Sequence, residues 1–288
     1  MRLALGTVQF GLAYGIAGRG EAVPASEARA ILEDAASRGL RTLDTAADYG
    51  DIETRLAGLA AGLPLEVVSK VPAIPSELAP GDAAAFAVRM AERSRERLGP
   101  LLRGLMVHRS GDLTGARGDA VWPALADWAR ADGIRLGASC YDPSDADDLA
   151  RRHGIALTQV PGNAFDQRIA DAAAHAPLRG VEVHLRSAFL QGLLLMSQDE
   201  AKRRLSAAAS ALERWHADCA RRGTPPLQAA LAIVKSFSLV SHVVVGVDSL
   251  AQWTAIADAW EQALPCPAPD LACARPEVID PRLWSTNP

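Results

Sequence analysis

The sequence predicts a single-domain (β/α)8 barrel, an α/β fold of the TIM type. Eight short strand-like segments alternate with helical ones along the 288 residues. Such alternation specifies a parallel sheet, and eight repeats close it into a barrel. The length suits one barrel of about 250 residues. The third observation is chemical: Asp44, Tyr49, Lys70 and His108 each stand at or just after the end of a strand segment. An acid, a phenol, an ammonium and an imidazole thus gather at the barrel end where reactive groups collect.

Leu3 to Gly6 is the first strand, followed by the glycine-rich loop GTVQFGLAYGIAGRG. Ser26 is placed to cap a helix running to about Arg38, which Gly39 ends. The strand Arg41 to Asp44 stops at its carboxylate, a helix spans about Asp51 to Ala61, and Leu65 to Lys70 is the third strand. Pro72, Pro75 and Pro80 break the chain before a long helix, Gly81 to Leu98. The strand ending at His108 leads to a helix from Val121 to Ala131 and then to the strand Ile134 to Ala138. Pro143 opens a helix to about His153, where proline suits a first turn. Ala156 to Gln159 is a short strand with a helix expected after it, and Val181 to Leu185 is the seventh strand. Helices flank Thr224-Pro225-Pro226, the strand His242 to Val245 follows, and a helix from Ser249 to Ala263 closes the count. Residues 1–264 form the barrel, and 265–288 an extended C-terminal tail packed on it, with Trp284 as its anchor. The fingerprint GxGxxG of an open dinucleotide-binding sheet is missing after the first strand.

Composition narrows the function. Hydrophobic residues make up 49% and charged residues 22%, with a net charge of −4. That is ordinary globular composition, and it supplies no basic surface for nucleic acid or an anionic membrane. No apolar run approaches the roughly 18 residues of a membrane span, and the start MRLALGTVQF is no signal peptide. Cys140, Cys219, Cys266 and Cys273 form no CxxC pair, so reduced thiols in a cytoplasmic protein are the expectation. His153, His175, His184, His216 and His242 show no metal-ligand spacing and read as structural.

The stretch Asp44-Thr45-Ala46-x-x-Tyr49, with Gly50 and Glu53 after it, Lys70 ending strand three and His108 ending strand four, resembles the aldo-keto reductase superfamily. Singly each has a structural reading: a loop-capping acid, a half-buried aromatic, a solvated lysine, a core histidine. The four together, in order and at matching strands, carry the likeness. GAS at Gly137 to Ser139, Gln159 with Asn163, SAFLQGLL at Ser187 to Leu194 and VVVGVDS at Val243 to Ser249 extend it. The runs LGTVQFGLAYG and RSAFLQGLL look most like a bacterial branch.

The resemblance implies reduction of an aldehyde or ketone, the small-molecule partner, by a nicotinamide cofactor. No side chain donates hydride, so a cofactor must. A phenol of pKa about 10 is a weak acid near neutrality, and a neighbouring ammonium strengthens it. A buried ammonium in turn needs a carboxylate. The assignment is therefore Tyr49 as acid/base, Lys70 and Asp44 as the pair that tunes it, and His108 as the donor that orients the substrate oxygen.

By the same resemblance Ser139 and Gln159 hold the nicotinamide carboxamide, and Gly6 and Thr7 lie beside its ribose. Cys140 stands where the family usually has asparagine, and Arg186 where many members stack an aromatic on the nicotinamide. Arg186 either lies on that ring or turns away to pair with an acid. Ser187, Phe189, Gln191 and Gly192 face the pyrophosphate and adenosine end, together with Gly246, Val247, Asp248, Ser249 and Gln252. NADPH is the family's usual cofactor. The segment after Gly246 has no basic residue for its 2′-phosphate, however, Ile256 replaces a common asparagine, and Lys235 lies on the preceding helix. NADH therefore stays open.

Phe10, Tyr14, Trp122 and Phe189 are candidates for the walls of a substrate pocket. The chain starts at strand one, without the N-terminal hairpin that plugs the barrel bottom in many members, which makes the tail a candidate cover for that end. Two other functions are carried forward. One is a catalytically weak relative that binds NAD(P)H and regulates a protein partner; the other is a barrel isomerase acting on a phosphorylated sugar. Against the isomerase, no second carboxylate or phosphate-binding glycine pair stands out after strands seven and eight.

Overall fold

The computed structural model describes residues 1–13 and 20–284. Its eight strands are β1 (Arg2–Gly6), β2 (Thr42–Asp44), β3 (Glu66–Val71), β4 (Leu102–Val107), β5 (Arg135–Ser139), β6 (Leu157–Pro161), β7 (Glu182–Arg186) and β8 (Val240–Gly246). All pair in parallel in chain order, and β8 pairs with β1 to close the barrel. Register aligns Gly6 with both Asp44 and Gly246, Lys70 with Met106, and Ser139 with Gln159. The expected strand ends thus come together at one rim.

Most apolar side chains sit between the strands and the surrounding helices, where Leu43, Val67, Leu105 and Val243 meet Ile31, Leu56, Ala87 and Trp253. The barrel interior is filled differently. Side chains two apart on a strand share a face, so Glu66, Val68 and Lys70 form one inward row, and Glu182, His184 and Arg186 another. Hydrogen bonds across non-neighbouring strands confirm the inward direction: Arg135 reaches Glu66 on β3 and Glu182 on β7, and Gln159 on β6 reaches Asp44 on β2. The filling runs from polar to apolar (Val68, Met106, Leu157) and back to polar. Glycines keep it narrow: a Cβ on Gly137 would lie 1.7 Å from the carbonyl oxygen of Leu157.

Several boundaries differ from the sequence reading. The first long helix runs Ala25–Ser37 with Pro24 at its cap, so Ser26 lies inside the first turn and caps nothing. Gly39 does end it, with φ at 87°. The helix before β5 begins at Gly115 rather than Val121 and accommodates Pro123. No α-helix follows β6. Two short 3-10 turns, Arg168–Ala170 and Ala176–Leu178, stand there, held by side chains of the loop itself: His175 joins Asp147 at 2.7 Å.

The tail does not cover the barrel bottom. It runs over the opposite end: Gln167 donates to the carbonyl of Ala268, the amide of Cys273 donates to the carbonyl of Phe165, and Arg282 lies 3.4 Å from the centroid of the Tyr141 ring. These partners all follow the C-terminal ends of β5 and β6. Nor is it wholly extended, because its prolines start short helical turns at Pro269–Leu271, Pro276–Ile279 and Pro281–Leu283. Trp284 packs partly buried against the main core. At the bottom Arg135 instead joins Glu66 and Glu182 in an ionic layer. Among the described residues no helix is long and apolar enough to cross a membrane.

Candidate active site

Asp44 ends β2 and Lys70 lies one residue before the end of β3, both on the inward face and both buried. Lys70 Nζ donates to the two carboxylate oxygens of Asp44 at 2.8 and 2.9 Å and to the carbonyl of Thr45 at 2.8 Å. Those three acceptors take all three ammonium hydrogens. A buried charge is tolerated on such terms, and removing either partner would strand the other. Gln159 completes the cluster by donating to Asp44 Oδ1 at 2.7 Å. The residue expected at the carboxamide is thus also a strut of the ion pair.

Tyr49 follows β2 in the loop, its ring 5.7 Å from Lys70 Nζ and 6.1 Å, edge-on, from the His108 ring. The ammonium lies within cation–π reach of the phenol ring. His108, just past β4, has its Nδ1 3.2 Å from Asp48 Oδ2, and its hydrogen bond to Asp48 holds that carboxyl below the usual range. Asp48 was not singled out in the sequence; its signal is its place one residue before Tyr49. Glu53, half a turn into the next helix, is fully buried and accepts from Ser69 at 2.6 Å and Arg97 at 3.0 Å, tying that helix to β3.

A cavity of about 510 Å³ opens above this cluster, within the roughly 300–1,000 Å³ of cofactor and ligand sites. Asp44, Tyr49, Gln159, Gly6 and Thr7 line one part, and Arg186, Ser187, Phe189, Gln191 and Gly192 another. Gly246, Asp248 and Gln252 line a third. Ser139, Cys140, Val247 and Ser249 are not among the lining residues. Ser139 is buried at the end of β5. Cys140 and Val247 are core side chains, and burial pushes the Cys140 thiol up to about 12. Ser249 caps the last long helix by accepting from the amide of Gln252. The lining also includes Gln9, from the run LGTVQFGLAYG, and Met196, Glu200 and Leu227, which no motif in the sequence marks.

The cavity wall has unusual backbone. Ser187, Leu190 and Gln191 are the non-glycine residues with positive φ among those described (65°, 49° and 54°); all lie in the loop after β7, whose Ser187 and Gln191 line the cavity. Backbone held in that region persists where surroundings enforce it, and it concentrates at binding sites. Gly246 leaves space as well, since a Cβ there would lie 2.5 Å from the Gln9 amide. Lys235 does not reach the cavity; it donates to the carbonyls of Trp260 and Ala263.

Of the aromatic candidates, Phe189 lines the cavity, Phe10 is buried in the core, and Trp122 stacks on His153 at 5.0 Å on an outer helix. Tyr14 lies outside the described residues. At the other end of the barrel, Glu182, His184 and His242 bring a carboxylate oxygen and two imidazole nitrogens within 4.8 Å of one another.

The aldo/keto reductase family model matches residues 2–266. The chain belongs to the aldo/keto reductase family. None of the curated proteins matches it. Among solved structures, a Pseudomonas aeruginosa chain whose name assigns it to the aldo-keto reductases is 25% identical, with 91% of this chain and 90% of that one covered and a TM-score of 0.65. An aldo-keto reductase from Bacillus halodurans, in its holo form, is 19% identical over 98% and 95%, with a TM-score of 0.70. The latter shows the fold. Family and fold support oxidoreductase activity. The family model stops at residue 266, so the remaining tail lies outside what it describes.

Proposed function

We propose that this aldo/keto reductase reduces an aldehyde or ketone to an alcohol with NADPH or NADH, Tyr49 giving the proton. The observation that carries the reading is the Asp44–Lys70 ion pair, buried beneath a cavity that also exposes Tyr49. When bound, the nicotinamide supplies the hydride. Gly6, Thr7 and Gln159 would hold its ring end, and the loop from Ser187 to Gly192 with Gly246, Asp248 and Gln252 its phosphates and adenosine.

The carbonyl oxygen would meet the Tyr49 hydroxyl in the cavity, with the His108 imidazole beside Tyr49 although outside the cavity lining. As charge builds on that oxygen, His108 orients it and Tyr49 protonates it. Asp44 keeps Lys70 charged, and the Lys70 charge favours the phenolate that remains. Gln159 and the Thr45 carbonyl fix the pair in place, so little reorganisation accompanies the step.

Consumption of NADPH and of NADH, measured separately with small aldehydes, tests this. Tyr49→Phe should lower turnover by about 100-fold or more while nucleotide binding, read by fluorescence, persists. Equal turnover in Tyr49→Phe and the wild type would refute the role. Nucleotide binding with no turnover in either would instead favour a regulator.

A further inference from the structure

Arg186 ends the inward row of β7 and lines the cavity that Tyr49 and Gln159 share. The other cations around this mouth are matched. Lys70 holds Asp44, Arg168 holds Asp142 and Asp166, and Arg282 holds Asp280 through both carboxylate oxygens. Arg186 has no carboxylate within ion-pair distance among the described residues. Its guanidinium donates only two long hydrogen bonds, 3.5 Å each, to Ser187 Oγ and to the carbonyl of Cys140. Asp280, whose carboxyl feels the Arg186 charge, is already engaged by Arg282.

The guanidinium is nevertheless held in place. It lies 4.2 Å from the centroid of the Tyr141 ring, and Arg282 of the tail lies 3.4 Å from the same centroid. A half-buried cation, braced by stacking and short of good acceptors, is arranged to receive an anion from the cavity.

We propose that the carbonyl substrate carries a carboxylate and that Arg186 takes it. The proposal rests on the reductase reading for the word substrate, but carboxylate binding is measurable without turnover. Two oxygens of a carboxylate match the guanidinium fork, whereas the two present acceptors are single atoms at the limit of bonding distance. The anchored acid would fix one end of the substrate and leave its carbonyl to Tyr49 and His108. The brace from Arg282 lies in the tail, beyond the residues that the family model matches.

The test compares 4-(hydroxymethyl)benzoate with benzyl alcohol in calorimetric titrations, and 4-carboxybenzaldehyde with benzaldehyde in turnover. In the wild type the acid member of each pair should be favoured by about tenfold or more, as a charge-assisted bidentate contact provides. In Arg186→Met both ratios should fall to near one, and Arg186→Lys should recover part of them. Thermal melts report whether each variant folds, and nucleotide binding is titrated alongside. Equal binding of acid and alcohol by the wild type overturns the proposal. So does an acid preference that survives Arg186→Met, or a variant whose NADPH and NADH binding fall by the same factor as its acid binding. If both aldehydes turn over equally and the acid has no advantage, this proposal fails and the reductase stands. If the acid binds through Arg186 and neither aldehyde turns over, the reductase reading fails and the carboxylate site stands.

Discussion

The two ends of the barrel interior are built from the same materials and do different things. At the bottom, Arg135 bridges Glu66 and Glu182 at 2.7 and 2.5 Å, and Glu182 also meets His184 at 2.7 Å. At the top, Lys70 meets Asp44, and Gln159 braces the carboxylate. Both are buried or half-buried ionic layers separated by the apolar plug of Val68, Met106 and Leu157. The bottom layer turns its charges on one another. The top layer leaves an ammonium beneath a phenol, beside a cavity whose wall holds strained backbone. A cavity borders each end, and the top one sets a phenol beside its buried charge.

The sharpest way to break this contrast is Lys70→Met. It should lower turnover by about 10²–10⁴-fold and destabilise the fold by about 3–5 kcal/mol, because Asp44 would remain buried without its partner. Adding Asp44→Asn should recover stability, read by urea unfolding, and leave turnover lost. Recovery of both would make the pair structural, like the bottom layer.

Arg135→Met is the matching experiment at the other end. The Arg135 side chain is 32% exposed, so solvent screens the loss, and about 1–3 kcal/mol is expected rather than more. Turnover per folded molecule should not change. A loss of turnover comparable to that of Lys70→Met would mean that the ends are coupled through the plug.

The smallest effect is in pH. Burial, then the neighbouring His184, pushes His242 down to about 4. Burial works against the Glu182 carboxylate, but the His184 hydrogen bond and the charge of Arg135 hold it at about 2. Both folded values lie below the unfolded ones, so the unfolded chain binds protons first. Stability from His242 is complete above about 6.5 and is lost as pH falls toward 4; that from Glu182 is complete above about 4.5 and is lost toward 2. With screening, each contributes on the order of 1 kcal/mol. Urea unfolding between pH 7 and 4 should show the His242 part, and His242→Asn should flatten it. An unchanged slope in the variant would place the acid sensitivity elsewhere.

Much of this was legible in the sequence. Alternating segments specify a barrel because each strand must pass its chain through a helix to reach a parallel neighbour. Asp44, Tyr49, Lys70 and His108 could be placed at one rim because strand ends are where a barrel exposes side chains. The inward rows Glu66-x-Val68-x-Lys70 and Glu182-x-His184-x-Arg186 have the period of two and could have been read, yet period alone does not say which face points inward. Tertiary structure decided the rest. Closure brought Gln159 to Asp44 across 115 residues and set Arg135 between two glutamates. Close packing turned Cys140 and Val247 into the core, although Gly246 and Asp248 on either side of Val247 line the cavity. The tail went to the end that holds Tyr49 because Phe165, Gln167 and Tyr141 offer partners there, and no local pattern in 265–288 encodes those. Local periodicity determines which elements form; contacts between distant residues determine what each end of the barrel does.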